Sequence, residues 1–142
     1  MKFGSQGQHG WVCDINDLPQ SQWGSCCFNV PSGNDGQENT DNMIAAGVTH
    51  GAAIECVNIN NQGFNDWFLP SKDELQQIYN QRVVIDATAL SNGGSILVYG
   101  AKYWSSTNWS TTDAYYFDTY GQGEQNMRSK FDVGWVRAVR EF

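Results

Sequence analysis

The chain is poor in charge, in imidazole and in long apolar runs. Only 16% of its 142 residues are charged, against roughly 25% in an average soluble domain. The charge it has leans acidic, with 8 Lys and Arg against 15 Asp and Glu, a formal net of −7. A protein that binds duplex nucleic acid carries a basic face; here the mean field repels phosphate, and no nucleic-acid partner is expected. No run approaches the ~18 apolar residues of a membrane-spanning helix, so no membrane insertion is expected. His9 and His50 are the whole imidazole inventory. The G-x-S-x-G elbow, the H-E-x-x-H helix, the P-loop and a helix-opening G-x-G-x-x-G are missing; each would supply a nucleophile, a metal or a phosphate cradle. The expectation is a non-enzymatic domain with no catalytic residue.

What the chain does have is aromatic and turn-forming material: Trp 6, Tyr 6, Phe 7 and Gly 15. That composition excludes a disordered chain, which is charged and aromatic-poor. The length suits one domain, 1–142, able to bury about 70% of its extended surface. The start, Met1-Lys2-Phe3-Gly4, has no apolar core of a signal peptide. The chain is therefore read either as cytosolic or as a piece of a longer secreted protein. Four cysteines (Cys13, Cys26, Cys27, Cys56) allow three pairings. At least one disulfide is favoured over buried thiols. Metal ranks last, because there is no C-x-x-C and neither histidine extends a ligand pair.

Apolar spacing through Met43, Ile44, Ala46 and Val48, then Ala52, Ala53, Cys56 and Val57, predicts one helix over about 41–59. Thr40 or Asp41 would cap it, and Gly47 and Gly51 would interrupt it. Ser71-Lys72-Asp73-Glu74 is a capping box, in which Ser and Glu side chains satisfy each other's backbone N–H groups. A helix is predicted over about 72–81, burying Leu75, Ile78 and Tyr79. Strands are read at Trp11-Val12-Cys13, Cys26-Cys27-Phe28, Tyr103 to Thr107, Ala114 to Asp118, Glu124 to Lys130 and Gly134 to Arg140. Two helices followed by a meander give an α+β fold with a twisted antiparallel sheet and long loops.

Candidate chemistry is sparse. His50 with Cys56 is a formal nucleophile pair, but Cys56 falls on the apolar helix face, where a thiol is inert packing. Asp113, Asp118 and Asp132 can be imagined around Ca²⁺, which takes six to eight oxygens; no EF-hand spacing supports it, and no metal is expected. Trp67, Trp104 and Trp135 sit among apolar and small residues and read as core. Trp109, in Asn108-Trp109-Ser110-Thr111-Thr112, sits in a polar loop, where it can stack on a sugar or a partner as readily as on its own loop. Basic residues gather late. Arg128 and Lys130 share a strand face by period two, a small stripe able to hold sulfate or carboxylate. Arg137 and Arg140 read as structural. Lys102, Trp109, Arg128 and Lys130 are the candidate ligand-binding surface.

Five blocks occur in one order: Gly7-Gln8-His9-Gly10, Gly36 to Thr40, Asp66-Trp67-Phe68-Leu69-Pro70-Ser71-Lys72-Asp73-Glu74-Leu75, Tyr103-Trp104-Ser105-Ser106-Thr107 and Val136-Arg137-Ala138-Val139-Arg140. Together they resemble the bacterial domain family typified by the C-terminal domain of the Legionella collagen-like adhesin, over almost the whole chain. The resemblance implies a C-type-lectin-like fold at the tip of an extracellular, cell-surface protein. It also implies a homotrimer that binds sulfated glycosaminoglycans. The calcium-lectin triplets E-P-N and Q-P-D are absent, so no cofactor is expected. The alternative is a protein-receptor recognition module using the aromatic and polar stretch from Tyr103 to Tyr120, a composition that suits adaptable contact surfaces.

Overall fold

The computed structural model of the chain describes residues 2–4, 10–25 and 29–142, the first three by their backbone alone. The turn read at His9, the strand read at Cys26-Cys27-Phe28 and the pairing of those two cysteines lie outside the described residues. The fold is α+β, with four helices and two sheets among the described residues. In the smaller sheet β2 (Gly10–Cys13) lies between β1 (Lys2–Gly4) and β8 (Val139–Glu141), antiparallel to both. The larger sheet runs β3 (Leu18–Ser21), β7 (Gly134–Val136), β4 (Lys102–Asn108), β5 (Asp113–Asp118), β6 (Glu124–Ser129). It is not wholly antiparallel: β7 passes back to the far side of β4 and meets it in parallel at Tyr103 and Trp135.

Alternation along β4 and β5 divides the interior in two, since successive strand side chains point to opposite faces. Trp104 belongs with Trp23, Met43, Ala52, Cys56 and Trp67 in one core. Tyr103 and Phe117 belong with Leu75, Ile78, Tyr79 and Ile85 in the other. Burying each such side chain is worth about 1.5–3 kcal/mol. Trp67 and Trp104 are buried as the sequence suggests; Trp135 is half-buried, 6.2 Å from the Tyr103 ring. Trp23, in the loop after β3, is fully buried and donates its indole N–H to the Ser105 carbonyl at 2.8 Å.

The first predicted helix is two helices, α1 (Gly36–Ala45) and α2 (Ala52–Asn58), separated by the glycine break. Helix α1 starts five residues earlier than Asp41 because its cap is Asp35, whose side chain accepts from the Glu38 N–H. At Gly51 (φ 100) a Cβ would meet the Gly24 nitrogen at 2.7 Å, so the backbone of the break requires glycine. Helix α3 (Lys72–Asn80) carries the capping box as read, with Ser71 and Glu74 in reciprocal bonds. Helix α4 (Arg82–Ser91) is a correction, for the sequence suggested two helices and no helix there. It has no side-chain cap; buried Ile85 holds it against the second core, and Asp86 accepts from the Leu97 N–H at 2.8 Å.

Arg137 and Arg140 are structural, as expected. Arg137 is fully buried and donates to Asp17, to the Asp14 carbonyl and to the carbonyls of Ser95 and Ile96. Arg140 grips Asp66 with two bonds of 2.6 and 2.8 Å.

Candidate functional site

The β4–β5 hairpin sets the exposed aromatic surface. Its register shifts between Trp104 and Asn108, and the chain turns over residues 109–112. Short polar side chains tie that turn: the Ser110 hydroxyl accepts from the Thr112 and Asp113 N–H groups. Both Trp109 and Ser110 donate their N–H to the Asp113 carbonyl. Outside the turn, Asn108 donates to Ser32 and Asn29. So fixed, the loop presents the Trp109 ring, 55% exposed, edge-on to Tyr115 with centroids 5.7 Å apart. Lys72, at the start of α3, places its ammonium 5.4 Å from the Tyr115 ring centroid. Its Nζ also lies 3.2 Å from Asp73 and 3.4 Å from the Gln125 amide oxygen. Met127, directly opposite Tyr115 on β6, is exposed.

The four residues singled out from the sequence do not form one surface. Tyr115 and Tyr116 are neighbours on a strand and face opposite ways. Trp109 goes with Tyr115. Lys102 and Arg128 go with Tyr116, their charges 5.6 and 5.7 Å from its ring centroid, and Arg128 is paired with Asp132 at 3.2 Å. The stripe of Arg128 and Lys130 is a correction. The strand ends at Ser129, so period-two reasoning stops there, and the Lys130 side chain turns inward until the residue is fully buried.

Lys130 holds the hairpin from beneath. Its ammonium donates to the carbonyls of Ser110 at 2.7 Å and Thr111 at 3.3 Å, and lies 4.4 Å from the Trp23 ring centroid. Burial pulls its pKa down to about 8. Replacing it with methionine should keep the volume and strand two loop carbonyls. The expected loss is about 2 kcal/mol, read as a lower urea midpoint, with a changed Trp109 emission as the turn loosens. An unaltered midpoint would mean the ammonium does not brace the loop.

Lys72 and Tyr115 escaped the sequence reading. Lys72 was absorbed into the capping box, and the tandem Tyr115-Tyr116, with one ring for each face, was the available signal. The nucleophile pair gains no support: Cys56 is fully buried, and burial pushes its thiol well above the ordinary value, while His50 is exposed. A reactive thiol needs the reverse, a lowered pKa and access. Among the described residues no three His, Cys, Asp or Glu side chains group as metal ligands, and no helix is long and apolar enough to cross a membrane.

A family model described as the Lcl C-terminal domain matches residues 16–140, nearly the whole chain. No curated protein matches it.

Proposed function

The chain belongs to the Lcl C-terminal domain family, and on that premise we propose that it is a non-enzymatic adhesin module of a bacterial surface that binds sulfated polysaccharide for attachment. The observation that carries this reading is the Trp109 platform: an exposed indole held edge-on to Tyr115, with the Lys72 ammonium beside the same ring. A pyranose can lay its C–H face on the indole while a sulfate meets Lys72. Lys102 and Arg128, across the sheet at Tyr116, offer a second cationic contact. Lys130 serves indirectly, by bracing the loop. With a net charge of −7, binding must be local and narrow, since fields decay over about 8 Å at physiological salt. A homotrimer of C-type-lectin-like domains, the assembly proposed with this function, would multiply weak sites into avidity. Native mass measures that assembly.

The test is immobilised heparin, titrated with the whole chain. Trp109→Ala should weaken binding about tenfold, equivalent to ~1.4 kcal/mol, with an unchanged melting curve because the ring is already exposed. Lys72→Ala should flatten the salt dependence. Equal affinity of Trp109→Ala and wild type would remove the platform from the binding surface.

One observation favours a second reading, protein-receptor recognition. Tyr99 and Tyr120, 67% and 69% exposed, pair at 5.5 Å beside the β5–β6 turn, away from the platform. Capture of a protein ligand that persists at about 0.5 M salt, where exposed charges are screened, would support it.

A further inference from the structure

A cavity of about 390 Å³ opens between the loop after β2, the turn around residue 62 and the C-terminal end of α4, lined by Ile15, Gln62, Thr88 and Asn92. We propose that this cleft is a second ligand site, one that takes an uncharged saccharide unit. Its volume lies within the roughly 300–1,000 Å³ of small-molecule sites.

The lining specifies the ligand chemistry. Gln62 spends one of its two amide N–H groups on a carboxylate oxygen of buried Asp14 at 2.7 Å, which leaves, among the described residues, the other N–H and the amide oxygen. Asn92 spends one amide N–H on the Thr88 carbonyl at 2.8 Å, and its second N–H and amide oxygen are likewise left among the described residues. No hydrogen bond of the Thr88 hydroxyl is made among the described residues. The wall thus offers both acceptors and donors, the mixed pairing that sugar hydroxyls make. Among the described residues no Lys or Arg lines it, so a sulfate would find no countercharge from them there. Ile15 supplies the apolar patch that a pyranose C–H face needs.

The cleft is also built at a cost. Gln62 has φ 55, the one non-glycine residue with positive φ among those described. Such backbone strain persists where surrounding bonds impose it, and it gathers at functional positions. The Asp14 bond holds Gln62 in place, and Asn61 donates to the other oxygen of Asp14 at 2.7 Å. The opposite wall is fixed by Ser95, whose N–H donates to the Ile15 carbonyl at 2.8 Å. A Cβ on Gly94 would collide with that carbonyl.

The experiment is an amide-resolved NMR titration of the whole chain. The probes are methyl α-mannopyranoside, methyl β-galactopyranoside and N-acetylglucosamine, each to about 50 mM, above the millimolar Kd expected of a small neutral ligand. One of them should shift the amides of Ile15, Gln62, Thr88 and Asn92 saturably. Thr88→Val should weaken that binding about tenfold, Trp109→Ala should leave it alone, and heparin should not compete. The proposal is overturned if none of the three sugars moves those amides, or if the shifts persist undiminished in Thr88→Val.

Discussion

Arg137→Met should cost the fold about 3–5 kcal/mol at neutral pH, the range found when one partner of a buried ion pair is removed. The guanidinium is fully buried and its Nε bonds Asp17 at 2.7 Å. Its other nitrogens bond three backbone carbonyls, of Asp14, Ser95 and Ile96. Methionine fills the volume and satisfies none of them. It also leaves Asp17 with only the Tyr103 hydroxyl, at 3.0 Å. Burial already raises the Asp17 pKa, against the pull of Arg137. Without the arginine it must rise further, so Asp17 in the variant folds best as the neutral acid. A group whose folded pKa is raised contributes its stability at low pH and loses it as pH climbs. The gap between wild type and variant should therefore be smaller at about pH 4 than at about pH 7. Urea unfolding at both values measures it; an equal cost at both would mean that the Asp17 charge is not what the arginine compensates.

That pair ties the loop after β2 to the junction of β7 and β8, and neither residue announces the contact in sequence. Asp17 and Arg137 lie 120 positions apart. What sequence does announce is local: the capping box at Ser71 and Glu74 was legible because both partners sit within one helical turn. The glycine break between α1 and α2 was legible for the same reason. Helix α4 was not, because Val83, Val84 and Ile85 are β-branched and Gln81 offers no cap; its stability comes from Ile85 packing in the second core. The start of α1 was misplaced although its cap, Asp35, is local; what sequence does not announce is Glu74, on another helix, which settles the Gly36 N–H.

The binding surface was legible in part. Trp109 stood out since a large aromatic among hydroxyl and amide residues has no apolar neighbours in sequence to bury it, and it is exposed. Its partners were not legible. Which side of a sheet a cation occupies depends on where the strand ends, and one residue separates half-buried Arg128 from fully buried Lys130. Lys72 meets Tyr115 only through the docking of α3 on the sheet.

Glu74 should make the whole domain less stable as the pH rises from acid to neutral. Its carboxylate is buried at the junction of two helix starts, accepting from the Ser71 N–H at 2.9 Å and from the Gly36 N–H with both oxygens. Burial raises its pKa from 4.5 to about 7, and those N–H bonds pull only part of the way back. Between 4.5 and about 7 the folded state holds the proton that the unfolded chain has released. Stability contributed by this group is complete below the lower value and lost on passing the upper. At about 1.4 kcal/mol per unit, the loss is about 3 kcal/mol. Asp17 and Glu55, both raised by burial, act with the same sign, so the discriminating comparison is with Glu74→Gln. Wild type should lose urea resistance between about pH 5 and about pH 8, and the variant should lose about 3 kcal/mol less over that interval. Lys130, lowered from 10.5 to about 8, acts with the opposite sign above neutrality: the folded state sheds its proton first, so its contribution rises with pH, while the buried thiols of Cys13 and Cys56, both raised from 9.0, oppose it above that value. Wild type should accordingly recover between about pH 8 and about pH 9, before the thiols titrate, whereas Lys130→Met should show no recovery there. Parallel pH profiles for wild type and Glu74→Gln would show that the carboxylate enters the fold already ionised, held by its three N–H contacts against burial.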